Sequence, residues 1–367
     1  MLLSGLLLAC GAGALSSVAS KAPKTGGDTA PADTAATTEA AARAALAQIL
    51  TEAYADAPAG VDGIRLLVHD DDGIELLDLE VGTLPRGEAL AVASASKLVS
   101  ALVLLRLVEE GALALSDRVD ARVPSPGAYG AVTLDQLGGF VSGLPAHDNC
   151  LREARSSVAD CAATLLSTTP SAEPGALLDY GGAHLQVAGW MAEQSTGEDW
   201  AALFERTLRA PLGLNRAQTR YFTYPQLQRG DHPLIAGGLV ISLDDYDRLL
   251  ALTQGRGELD GRRLIDESRM RRLEQNPYAT AEVGNSPMAD YGFDWRYGFG
   301  SWLLCEGEAA TCPRFSSPGA YGFTPWIDHE AGYRAILAME TAAPGGAAWA
   351  VPLAERLRPW IAALSAS

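Results

Sequence analysis

Apolar positions along the chain follow several distinct patterns, and each predicts a different element. Residues 38–57, TEAAARAALAQILTEAYADA, space their apolar side chains at helical intervals among good helix formers. GIRLLVHD and IELLDLEVG, joined through a DDG turn, alternate as a β-hairpin does. KLVSALVLLRLVEE, residues 97–110, is apolar on nearly every side and stops at Gly111, the pattern of a buried helix. From there to about residue 275, helical segments are separated by Pro and Gly turns. Strand patterns return near the end as YGFGSWLLCE, YGFTPWID and YRAILAMET, followed by a final helix from about Val351 to Leu364. Strands at both ends with helices between predict an α/β lobe from about 38–100 and 285–367. A helical lobe, about 101–284, is inserted into it. There is no internal repeat.

A chain of 367 residues can bury one large core or two lobes. Its net charge of −17 argues against a nucleic-acid surface and against attraction to anionic lipid headgroups. The start, MLLSGLLLACGAG, is too short an apolar run to span a membrane. Residues 1–9 resemble a bacterial lipoprotein signal, with Cys10 as the lipid acceptor. An ordinary secretory signal or a frayed terminus is the alternative, and the run lacks the basic residues such signals carry. Residues 10–37, rich in Gly, Ala, Ser, Thr and Pro, read as a flexible tether. This predicts an exported protein, periplasmic or on the outer membrane or cell surface, touching the membrane only through a lipid.

Four further cysteines, Cys150, Cys161, Cys305 and Cys312, allow three pairings. Closeness in sequence favours Cys150–Cys161 with Cys305–Cys312 in an oxidising compartment. Zinc is the alternative, but the CxxC spacing and a nearby histidine pair are both absent, so no metal is expected.

Of the 28 basic residues only three are lysine, and Lys21 and Lys24 lie in the tether. Lys97 is thus the single lysine of the folded part, in AVASASKLVS. Ser94 stands three residues before it, so on a helix the two share a face. The first turn, with free N–H groups, favours developing negative charge there. A serine hydroxyl needs a partner to take its proton. A buried lysine can lose its own proton and do this, whereas arginine stays protonated. Read alone, S-x-x-K is equally a helix N-cap followed by an apolar helix.

The surroundings carry more. ASASKLVSALVLLRLVEEGALALSDRVDARVP resembles the nucleophile segment of the serine β-lactamase and penicillin-binding-protein superfamily, in its class C β-lactamase and esterase branch. Four other segments resemble that branch in the same order. They are VTLDQLGGFVSGLPAHD (Gly139 and Val141 standing in the usual leucine–histidine neighbourhood), DYGGAHLQVAGWMAEQSTGEDWAALFERTLRAPLGL, IAGGLVISLDDYDRLLAL and FSSPGAYGFTPWIDHEAGYRAILAMET. The resemblance covers about residues 40–365. It implies a β-lactamase/transpeptidase-like fold, an antiparallel sheet flanked by helices plus the helical lobe.

It further implies Ser94 as nucleophile, with Lys97 and Tyr180 moving protons. The backbone N–H groups of Ser94 and Ala320 would form the oxyanion hole. Two positions depart from the pattern. Gly182 replaces the asparagine of Y-x-N, and Ser317-Pro318-Gly319 replaces the strand motif Lys/His-Thr/Ser-Gly. Ser317, Gly319 and Gly182 are therefore the expected substrate contacts. His147, His184 and Gln186 are further cleft candidates, each also readable as a loop or packing residue. Tyr321, Phe323 and Trp326 line either an acyl pocket or the strand core.

The expected activity is that of a serine hydrolase acting through an acyl-enzyme on small esters or amides, without metal or organic cofactor. A D,D-peptidase or β-lactamase, and an inactive penicillin-recognising binder, are the alternatives. A Ser-His-Asp hydrolase is disfavoured, because GGFVSG does not fit G-x-S-x-G. Loss of the strand cation points to uncharged esters, and Arg314 is the nearest arginine that could replace it.

Overall fold

The hairpin forms where alternation predicts it: β1 (Gly63–Asp70) and β2 (Glu75–Gly82) pair antiparallel, with Val68 opposite Leu77. The computed structural model describes residues 32–153, 155–223, 232–342 and 344–366, so residues 1–9, Cys10 and tether residues up to 31 lie outside the described residues. Five strands from the C-terminal part complete the sheet. They are β3 (Trp295–Tyr297), β4 (Trp302–Glu306), β5 (Arg314–Ser316), β6 (Thr324–Asp328) and β7 (Tyr333–Ala338). The order is β3-β4-β5-β6-β7-β1-β2, and every neighbouring pair is antiparallel. The two ends of the chain thus meet at the β7–β1 seam, where Ala335 faces Val68.

The principal helices are α1 (Ala32–Ala55), α2 (Ser96–Glu109), α3 (Val158–Leu166), α4 (Ala183–Thr196), α5 (Leu243–Gln254) and α6 (Gly346–Ser365). Strand β7 is buried along its whole length, so both sheet faces are covered there. Its consecutive residues point to opposite faces. Arg334 meets Asp247 of α5 at 2.9 Å on one face, while Tyr333 lies against Arg358 of α6 on the other.

Three boundaries differ from the sequence expectation. Residues 32–37, expected in the tether, are already helical, because no Gly or Pro interrupts the chain between Ala32 and Ala55. Helix α6 starts at Gly346 rather than near Val351, since Ala347, Ala348 and Ala350 supply another turn ahead of Pro352. Residues 239–254, grouped with the helical lobe, pack on the sheet lobe: Leu239–Ser242 pairs with Ala89–Ala91, and α5 lies across β6 and β7. Their helical pattern is local, but their partner is distant in sequence.

Helix α2 is the central element, with residues 96–105 and Leu107 all buried. Gly111 takes φ +73° just beyond it, a left-handed turn that favours glycine. Truncating a fully enclosed side chain such as Leu102 to Ala would cost about 2–5 kcal/mol. Two disulfides, Cys150–Cys161 and Cys305–Cys312, are formed. Among the described residues no helix is long and apolar enough to cross a membrane, and no cluster of His, Cys, Asp or Glu is arranged to hold a metal ion.

Candidate active site

Ser94 lies on a 3-10 turn, Ala93–Ala95, that leads directly into α2. Its side chain caps nothing, so the N-cap reading of S-x-x-K is not realised. Ala93 before it takes φ +43°, a left-handed conformation that costs a residue with a Cβ about 1–3 kcal/mol. Ser96 helps hold the turn: its Oγ donates to the Ala93 carbonyl at 2.5 Å and accepts from Leu239 N–H at 3.0 Å.

Lys97, one turn along, is 4% exposed and places Nζ 2.8 Å from Ser94 Oγ. Nζ also donates to the Ala236 carbonyl at 3.0 Å. Burial lowers its pKa from 10.5 to about 7. As an ammonium Lys97 donates to Ser94; as a neutral amine, at the same distance, it can accept the Ser94 proton.

Tyr180 lies beside that amine, its ring centroid 4.7 Å from Nζ. The phenol makes a polar contact with Ser94 that favours ionisation, but burial outweighs this and pushes its pKa well above 10, so it stays protonated. Its ring is enclosed by Trp302 at 4.9 Å and by Phe140 and Tyr297, both at 5.5 Å. The backbone on either side is also fixed. Asn285 O accepts Tyr180 N–H at 2.9 Å, and Asn285 Nδ2 donates to Tyr180 O at 2.6 Å.

Ser94, Lys97, Gly182, Ala236 and Ala320 line a cavity of about 640 Å³. Neither the Ser94 nor the Ala320 N–H donates to another backbone oxygen among the described residues. Both are available to a ligand oxygen. Ala320 reaches this position because Gly319 lies against the nucleophile loop. A Cβ on Gly319 would meet the Val92 carbonyl oxygen at 2.1 Å. Gly182 puts no side chain where the resemblance has an asparagine; a Cβ there would stand 3.2 Å from Leu151 Cδ1.

The other expected contacts are placed differently. Ser317 is buried, and its Oγ donates to the Ser94 carbonyl at 3.0 Å, so it holds the nucleophile loop instead of facing the cavity. Gly319 acts by close packing and is not itself in the cavity wall. His184 is buried and neutral, its pKa lowered by burial to about 4. Its Nε2–H donates to the Asp179 carbonyl at 2.8 Å, and Nδ1 accepts from Ser142 Oγ at 2.8 Å, which steadies the Tyr180 loop. Gln186 bridges Pro233 O and Ile235 N–H, ordering the segment that presents the Ala236 carbonyl. Phe323 and Trp326 are core residues, packed on Tyr246 and Tyr333 respectively, and Tyr321 lies outside the cavity wall.

His147 does line the cavity, with Asp148, Asn149, Leu151 and Arg152 beside it. Arg314 does not; it sits on β5 opposite Asp328. Arg152, Asn285 and the Ala236 carbonyl join the site without having stood out in the sequence. The nearest signals were the arginine inside the Cys150–Cys161 loop and the IAGG segment.

A family model described as Beta-lactamase matches residues 52–356. Among solved structures, a β-lactamase-type protein of Bacteroides dorei DSM 17855 is similar at TM-score 0.72 and 22% identity, covering 88% of this chain and 97% of that one. EstCE1, a hydrolase with promiscuous acyltransferase activity, is similar at TM-score 0.66 and 18% identity, over 89% and 99% of the two chains. The LovD6 variant of simvastatin synthase from Aspergillus terreus is similar at TM-score 0.67 and 18% identity, over 89% and 98%.

Proposed function

From its membership of the β-lactamase family, we propose that the chain is a serine hydrolase acting on small esters or amides, with esterase activity ahead of peptidase or β-lactamase activity. The observation that carries this reading is Lys97 Nζ at 2.8 Å from Ser94 Oγ, in surroundings that lower its pKa to about 7. Ser94 Oγ bonds to the substrate carbonyl carbon as its proton passes to Lys97, and the C=O electron pair moves onto oxygen. The Ser94 and Ala320 N–H groups receive that oxyanion. When the carbonyl re-forms, the bond to the leaving oxygen or nitrogen breaks, and that atom takes a proton from Tyr180, which Lys97 re-protonates. Water then attacks the acyl-enzyme by the same route and releases the acid. No step calls for a metal or organic cofactor.

The ester preference rests on Gly182, which offers no side-chain amide to a peptide-like substrate, and on Ser317, whose hydroxyl is turned inward. Export, with a lipid on Cys10, is part of the same proposal, and the two disulfides support it because such bonds persist in oxidising compartments.

The test is a fluorophosphonate probe together with a short-chain nitrophenyl ester and chromogenic penicillins and cephalosporins. Labelling at Ser94 with ester turnover well above β-lactam turnover is the expected result. Absence of labelling would leave a binding protein, and β-lactam rates matching the ester would overturn the esterase preference.

A further inference from the structure

The cation missing from the β5–β6 motif has a counterpart on another wall of the cavity. His147, Asp148, Asn149, Leu151 and Arg152 form that wall, and their backbone is pinned at several points. Asp148 Oδ1 accepts Cys150 N–H at 2.8 Å, Cys150 is bonded to Cys161 of α3, and Leu151 is buried. Arg152 ends this fixed segment and lines the cavity together with Ser94.

Most arginines of the chain are held by carboxylates, as Arg65 is by Asp78, Arg272 by Asp135 and Arg334 by Asp247. Arg152 has no such partner among the described residues, although the chain is strongly acidic. Asp148 is the one carboxylate in the described lining, and it is engaged by the Cys150 amide. The other lining bases do not compete. Lys97 is half neutral and faces Ser94, and His147 is pushed towards its neutral form by burial and by the charges of Lys97 and Arg152. Among the described lining residues, the lasting positive charge at neutral pH is therefore on Arg152.

We infer that Arg152 selects substrates that carry a carboxylate, binding it as an ion pair while the ester or amide carbonyl reaches Ser94. This rests on the serine hydrolase reading above and replaces the uncharged substrate expected from the strand motif alone. The class is a monoester or monoamide of a short dicarboxylic acid, or a carboxylate-bearing analogue of similar size.

The experiment uses the full chain with Ser94→Ala, which holds substrate without turnover, and titrates it calorimetrically with monophenyl succinate, glutarate and adipate. Their methyl phenyl diesters are the neutral controls. A charged hydrogen bond exceeds a neutral one enough to give about ten- to hundredfold tighter binding of at least one acid over its diester. Adding Arg152→Gln should reduce the acid to the affinity of its diester, and Arg152→Lys should recover part of the difference. Equal binding of acid and diester, no binding of either, or a preference that survives Arg152→Gln overturns the inference. Failure of the parent reading shows separately, as wild-type protein that neither labels at Ser94 nor turns over the nitrophenyl ester.

Discussion

Lys97 titrates where it can be watched. Burial takes its pKa from 10.5 to about 7, so at pH 7 about half of the molecules hold a neutral amine beside Ser94. An unshifted lysine would give about one in three thousand. If the neutral amine is the proton acceptor, kcat/KM on a neutral nitrophenyl ester rises with pH through about 7 and falls about tenfold per unit below pH 6. Tyr180 stays protonated well above pH 10, so the upper plateau should hold to at least pH 9. His147 also lines the cavity, and His147→Gln should leave the limb near 7 in place.

Lys97→Arg keeps the charge but removes the acceptor, and should lose about 10²–10⁴-fold in kcat/KM across the whole range. Lys97→Met, close in volume, keeps the fold testable. A depressed native pKa means that the unfolded chain binds the extra proton between about pH 7 and 10.5. The cost to wild-type stability is therefore full below pH 7 and fades as pH rises, with an upper bound of about 5 kcal/mol. Lys97→Met should accordingly melt higher than wild type at pH 6, with the gap narrowing by pH 9. A flat rate profile from pH 6 to 8, or a Lys97→Arg enzyme that keeps most of its turnover, would show that Lys97 is not the proton acceptor.

Gly319→Ala would drive a methyl group into the Val92 carbonyl, 2.1 Å from the ideal Cβ position, and move Ala320 away from Ser94. It should cost about 10²–10³-fold in kcat, read by steady-state kinetics. A Cβ at Gly182 is tight only against the flexible end of Leu151, at 3.2 Å, so Gly182→Asn should fold and shift the ratio of amide to ester turnover towards amides, measured on matched anilide and phenyl ester substrates. Non-reducing mass mapping should find Cys150 joined to Cys161 and Cys305 to Cys312. Reduction of the first pair should raise KM more than it lowers kcat, because it frees the 147–152 wall without touching Ser94 or Lys97.

The local elements were legible because their causes are local. Alternation fixed the β1–β2 hairpin, an all-round apolar run announced α2 as a core helix, and Ser94 and Lys97 met at helical spacing. A lone lysine among arginines already pointed to deprotonation. The tertiary structure decided what depends on distant partners. The pKa of Lys97 comes from its enclosure and from no neighbour in sequence. Ser317 could be read as facing substrate, and only the approach of β5 to the nucleophile loop turned its hydroxyl onto the Ser94 carbonyl. Arg314 and Arg152 look alike as letters. One lies on a sheet strand, while the other is carried to the cavity by a disulfide loop closed across α3. Spacing along the chain records neighbours within a few residues, whereas burial and charge at a site are set by contacts across more than a hundred, which only the folded chain brings together.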